Sequence, residues 1–278
     1  MDLNWIQSIV YGLISGLADI LPVSGHGHRM ILLNLFGESS EPALLRMMIH
    51  IGTLAALYYG CQNHIIRIVR ALKLARIPKR RRKRPLDTMS LMDFQVVKMM
   101  LIPMVAGLIF ARNTFPLGNK LVYVAAFLFL NGLILYIPRY LPGSNKDSRS
   151  MSRVESLLMG LGGAASVLPG VSTLGAVSSV ATVCGAEKTY TMSIALLGSI
   201  PMMAGFVIVD FVMLFGEGLA GISFLMILRY IIAGFAAFLG AMLGIRLLKR
   251  IIGNYSFDVF TLYCWGAALF AFVLFLNL

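Results

Sequence analysis

Acidic residues are scarce in this chain. Twelve Asp and Glu stand against 24 Lys and Arg, and charged residues of either sign make up only 13%. So few charges beside 58% hydrophobic residues exclude an ordinary soluble domain of 278 residues. Cysteine is scarcer still: Cys61, Cys184 and Cys264 are odd in number, far apart and set in apolar segments. No ligand pair at metal spacing exists, and buried structural thiols are the reading. The short alternating segments of a membrane β-barrel are missing as well, because the apolar runs continue over helical lengths. Met1-Asp-Leu-Asn-Trp5 carries no basic n-region and no small-residue cleavage site follows, so no cleaved signal peptide is expected. These absences leave one class: an all-α, polytopic protein of the bilayer.

The net charge of +12 raises the question of a nucleic-acid partner, but its placement answers it. Ten of the basic residues lie between Arg67 and Arg84, ending in Lys79-Arg-Arg-Arg-Lys-Arg84. A short basic block between spans is what the positive-inside rule assigns to a cytoplasmic loop, where it also attracts anionic lipid. Without aromatic interleaving or a recognisable module, no nucleic-acid role is expected.

What the chain does have is two interrupted apolar stretches. Gly12–Arg29 reads as lipid-buried helix broken after Pro22 by Ser24, Gly25, His26, Gly27 and His28, with Asp19 just before the break. Irregular backbone at membrane depth is tolerated only where protein or a wet cavity satisfies it, and ionisable groups there are functional candidates. Gly160–Gly175 repeats the pattern: Leu21-Pro22 matches Leu168-Pro169, and Ser24 matches Ser172 with one residue inserted. Two such segments in corresponding halves point to a central binding site between internal repeats.

The spacing predicts a first repeat over 1–138, with a re-entrant pair at 1–37 and spans at 43–61, 91–111 and 121–138. A basic linker at 139–153 leads to a second repeat over 154–278, with a re-entrant pair at 154–185 and spans at 189–214, 223–248 and 257–277. Each span is judged against the roughly 20 residues a helix needs to cross. Within the first re-entrant pair, one run covers 5–20 and a second 29–36, and Pro103 implies a kink in its span. Basic loops at 62–90, 139–153 and 246–254 fall on one side, the cytoplasmic one. Loops at 38–41 and 215–222, with Glu38, Glu41 and Glu217, fall on the other. Three spans per half turn the second half upside down.

Inverted halves bring the two loops together near the middle of the membrane. Helix N-termini converging there offer free N–H donors and partial positive charge, an anion site. Ser24, Gly25 and Gly27 in one loop, and Gly170, Ser172, Thr173 and Gly175 in the other, let backbone approach a ligand and add hydroxyl donors. A lipid phosphate fits, as do an amino acid or an ion. Elsewhere, His50 and Thr53 read either as lining the cavity or as satisfying each other, the structural reading being preferred, and Asp210 with Arg229 as an interfacial pair.

Asp19-Ile-Leu-Pro-Val-Ser24 followed by Gly27-His28 resembles the first motif of the undecaprenyl-diphosphate phosphatases, the bacitracin-resistance family. That motif runs Glu, three residues, Glu, an apolar pair, Pro-Val-Ser-Ser, a small residue, Gly-His. Pro169–Gly175 resembles the second motif, Pro-Gly-X-Ser-Arg-Ser-Gly. His50-Ile-Gly-Thr53, Ile102-Pro103, Ile200–Gly205 and Tyr255-Ser-Phe257 fall where the family has similar segments, so the resemblance covers nearly the whole chain. It implies an inner-membrane enzyme that removes one phosphate from a polyprenyl diphosphate, the lipid carrier of cell-wall precursors, at the outer face. A divalent cation, Mg or Ca, is often implied, with Asp19 its matching ligand. His28, Asp19 and Ser24 are then the catalytic candidates, and Ser172 helps to hold phosphate.

The departures are chemical. The first family Glu is Ser15, the second Ser of the loop is Gly25, the Arg is Thr173 and the Ser after it is Leu174. One carboxylate weakens a hard-cation site, and Thr173 offers a hydroxyl where a guanidinium would grip phosphate. His26 and Arg29 are candidate substitutes at the phosphate. Their bland alternatives are a polar filler in a wet loop and a snorkelling interface residue. The degraded motif also leaves a second reading, a non-hydrolytic polyprenyl-phosphate transporter on the same fold. A homodimer is one assembly open to either.

Overall fold

Proline and small residues break this chain where the apolar pattern breaks. The computed structural model describes residues 3–38, 40–140, 145–218, 222–254 and 258–277. The expected Tyr255-Ser-Phe257 segment lies outside the described residues. In chain order the helices are α1 (Trp5–Ile20), α2 (Gly25–Leu35), α3 (Ala43–Ala75), α4 (Thr88–Thr114) and α5 (Leu121–Tyr136). They continue with α6 (Arg153–Ala164), α7 (Thr173–Val183), α8 (Lys188–Glu217), α9 (Phe224–Asn254) and α10 (Asp258–Leu276). Among the described residues, six segments, α3, α4, α5 with its following turn, α8, α9 and α10, are long and apolar enough to cross a membrane. The chain is an all-α, multi-pass membrane protein.

The two short pairs are built alike. α1 stops at Leu21-Pro22, and Ser24, at φ 71°, turns the chain into α2, its hydroxyl accepting the Gly27 amide at 3.2 Å. Ser172 caps α7 in the same way, accepting the Gly175 amide at 3.2 Å. α2 therefore starts at Gly25, four residues before the run expected at 29–36, and His26 and His28 sit on its first turn. At 11 residues each, α2 and α7 rise only about 16 Å and cannot cross alone. The second pair returns to where it began: Lys146 donates to Gly185 and accepts from Glu187.

Two expected loops are helix instead. α3 runs on to Ala75, so the first half of the basic 62–90 stretch is helical, and α9 carries the basic 246–254 stretch to its end at Asn254. Arg, Lys, Leu and Ala are strong helix formers, and Ile68 and Ala71 remain buried on α3. A polar composition marks the end of the bilayer, not the end of a helix.

Small residues allow the closest packing. Gly12 and Gly16 of α1 lie against the carbonyls of Ala233 and Ala237 on α9, where a Cβ would collide with backbone. Without a hydrophobic force between helices in lipid, such close approach is a main source of association. Gly16→Val is expected to abolish recovery of monodisperse protein in detergent, measured by size-exclusion chromatography. Unchanged recovery would show that α1 can move off α9 at no cost. The other pairings form a pattern: α1 packs on α9 and α6 on α4, while α3 packs on α9 and α8 on α4. Exchanging α1, α3 and α4 for α6, α8 and α9 maps these contacts onto one another.

Candidate functional site

The two interrupted segments touch. An added Cβ on Gly27 would lie 3.4 Å from Gly170 Cα, and one on Gly175 would lie 3.1 Å from Pro22 Cβ. Gly170 holds φ +130° with backbone of α5 hard against it, so no other residue fits there. Asn131 of α5 joins the loops: its Nδ2 donates to the Pro22 carbonyl at 3.0 Å, and its Oδ1 accepts the Ser172 amide at 2.9 Å. It is fully buried, and it answers the backbone groups that the broken helices leave open. Nothing in the two motifs marks this residue.

Against the joined loops lies a small cavity of about 30 Å³, with polar side chains on its lining. Asp19, Gly25, His26 and Arg29 line it from the first pair, Ser166, Ser172 and Thr173 from the second, and His50 from α3. The first turns of α2 and α7 both border it. Arg29 is 1% exposed and contacts four residues, Glu41, Asp19, His50 and, at 3.5 Å, His26. Its Nε meets Glu41 Oε1 at 3.1 Å, its Nη1 meets Asp19 Oδ1 at 3.2 Å, and its Nη2 donates to His50 Nε2 at 3.0 Å. Tyr11 donates to Glu41 at 2.9 Å, and Thr53 to Asp19 Oδ2 at 3.2 Å. Behind His50, Asp210 of α8 takes Nδ1 on one oxygen and Arg46 Nε on the other, both at 2.5 Å. Buried charges persist only when paired and hydrogen-bonded in this way.

The cavity sorts the residues nominated from sequence. Asp19, Gly25, His26, Arg29, Ser172 and Thr173 line it. Ser24, Gly27, Gly170 and Gly175 shape the loops beside it. Ser15, in place of the first family Glu, turns back to donate to the Tyr11 carbonyl on its own helix. His28 faces away: its Nδ1 meets the Ser24 carbonyl and its Nε2 the Tyr263 hydroxyl, each at 2.8 Å, in a separate apolar cavity with Ile14, Leu17 and Val259. Gly25 explains itself, since a Cβ there would run into the Asp19 carboxylate.

Several readings change. Arg29 does not snorkel, and Glu41 is buried on Arg29 and Tyr11 instead of facing an outer loop. His50 and Thr53 bond to Arg29, Asp210 and Asp19, not to each other. Asp210 pairs with Arg46 and His50, while Arg229 stacks over Trp5 at 5.4 Å. One signal for these was present: Arg46 and His50 stand four apart in an apolar run, so they share one helix face.

The donor set does not suit a divalent cation held by the protein. Asp19 is the one carboxylate on the cavity wall, and its two oxygens already accept from Arg29 and Thr53. Hard cations want several oxygen ligands, and a guanidinium 3.2 Å from the carboxylate repels one. Among the described residues no group of three or more His, Cys, Asp or Glu could hold a metal ion.

Comparison with known proteins agrees with the geometry. Residues 8–270 match the family model described as bacitracin resistance protein BacA. The chain is 29% identical over 273 residues to an undecaprenyl-diphosphatase of Methanobrevibacter smithii, covering 96% of each chain. It is also 29% identical to one of Desulforapulum autotrophicum, covering 96% of this chain and 97% of that one. A third, from Carboxydothermus hydrogenoformans, is 24% identical over 95% of this chain and 94% of its own. With a family model matched along almost its full length, and its two motifs meeting at one cavity, the chain belongs to the bacitracin resistance protein BacA family.

Proposed function

We propose that the chain hydrolyses undecaprenyl diphosphate to the monophosphate, with the polar cavity as the phosphate site. The observation that carries this reading is Arg29, a buried guanidinium that lines the same cavity as Thr173. Thr173 stands where the family motif has Arg, and Arg29 brings a guanidinium to the same cavity from the other loop. A planar fork suits the oxygens of a terminal phosphate and the charge that develops on them. Ser172, Thr173 and the first turns of α2 and α7 add neutral donors around it. Asp19 and Glu41 hold the fork in place. The relatives carry the name of this activity, and neither they nor the family favour the transport reading.

The same reading sets the protein in the cytoplasmic membrane. The basic segments at 76–84, 145–153 and 246–254 face the cytoplasm, the two halves lie inverted, and the site opens to the outer face. The reaction is assigned to protein groups, without a resident divalent cation.

The test is phosphate release from undecaprenyl diphosphate by detergent-purified protein, with and without excess EDTA. Release in both conditions is expected. No release under any condition would overturn the diphosphatase reading, and release abolished by EDTA alone would overturn the cation-free assignment.

A further inference from the structure

We propose that the reacting imidazole of this cavity is His50, oriented by Asp210, and that the loop histidine His28 is not the reacting group. The proposal rests on the diphosphatase reading above. Two histidines with opposite surroundings motivate it. His50 lines the polar cavity from α3, buried and stacked on Phe206, with ring centroids 5.5 Å apart. Its Nδ1 lies 2.5 Å from Asp210 Oδ2, which selects the tautomer with the proton on Nδ1. The Nε2 lone pair then points to the cavity side, where it accepts from Arg29 Nη2 at 3.0 Å. Arg46 holds the second Asp210 oxygen and so fixes the carboxylate that orients the ring. This is the base-and-orienter pair that general-base chemistry needs. It joins residues 160 positions apart.

His28 has neither feature. Both its ring nitrogens are taken, by the Ser24 carbonyl and the Tyr263 hydroxyl, and its ring lies parallel to that of Tyr263 at 5.5 Å. Its contact with the Ser24 carbonyl braces the turn whose hydroxyl caps α2. His28 is a positioning residue for the first loop.

A terminal phosphate entering the cavity takes the Arg29 Nη2 hydrogen bond and frees His50 Nε2. That nitrogen accepts a proton from water as the water oxygen bonds to phosphorus. The bond from phosphorus to the bridging oxygen breaks, and its electron pair leaves with the polyprenyl monophosphate. Asp210 stabilises the imidazolium, whose proton then passes to one of the two phosphate products. The charged and titratable groups around His50 are Asp210 from α8, Arg29 and His26 from α2, Asp19 from α1, Arg46 on α3 itself and Glu41 just before it.

The experiment compares wild type with His50→Gln, His50→Ala, His28→Gln and Asp210→Asn, all purified and assayed on undecaprenyl diphosphate between pH 5 and 9. His50→Gln is expected to lower kcat by about 100-fold or more, with KM within a few-fold and the acidic limb of the pH profile gone. Added imidazole is expected to restore part of the His50→Ala activity, which a merely structural role would not allow. Asp210→Asn is expected to lower kcat and shift the acidic limb without removing it, whereas His28→Gln leaves the limb in place. Release by wild type with an unchanged limb in His50→Gln, or with the limb lost in His28→Gln instead, overturns the proposal alone. No release by wild type overturns the diphosphatase reading and this proposal with it.

Discussion

Arg29→Lys is expected to release phosphate from undecaprenyl diphosphate about 100-fold more slowly than wild type, while still folding. Lysine keeps one positive charge between Asp19 and Glu41, so the buried carboxylates stay paired. It loses the fork that meets Glu41, Asp19 and His50 through three separate nitrogens. A single removed donor at a developing charge typically costs ~100- to 1,000-fold in rate. Arg29→Ala should go further and leave two buried carboxylates without their shared cation, at about 3–5 kcal/mol. For that reason the lysine variant is the cleaner probe. Adding Thr173→Arg to Arg29→Lys returns a guanidinium to the same cavity from the second loop, and is expected to recover part of the rate. Wild-type turnover by Arg29→Lys, measured as phosphate release, would show that the fork does not meet substrate.

Asn131→Leu is expected to destabilise the protein by about 2–4 kcal/mol and to lower turnover as well. The substitution keeps the side-chain volume but strands the Pro22 carbonyl and the Ser172 amide, one on each loop. A buried polar group left without its partner costs roughly 1–3 kcal/mol, and no bulk water is at hand to replace it. Because Ser172 lines the cavity, a shift of its backbone carries into the site. Thermal unfolding followed by size-exclusion chromatography reads the stability. A midpoint equal to that of wild type would mean that the loops hold each other through Gly27, Gly170, Pro22 and Gly175 alone.

The sequence was most legible where the physics is local. Continuous apolar runs located six spans, because length and hydropathy alone decide whether a helix can cross. Leu21-Pro22 and Leu168-Pro169 located both breaks, since proline removes an amide within the segment itself. Ser24 and Ser172 were legible as donors and turned out to be N-caps, a role set three residues away. The ends of α3 and α9 were not legible, because basic residues mark where lipid stops while remaining good helix formers.

What the sequence by itself determined is therefore the class, the spans, the two interrupted segments and the family. The spans and the breaks rest on residues within one helix length of one another, and the family on motifs that are each local. Only the tertiary structure decided which side chains meet. It put Arg29 and Thr173 at one cavity, turned His28 toward Tyr263, and gave His50 to Asp210. The physical reason is that a buried charge takes whichever partner packing brings within hydrogen-bonding distance. For Arg29, His50 and Asp210 that partner comes from another helix, and no local pattern records it.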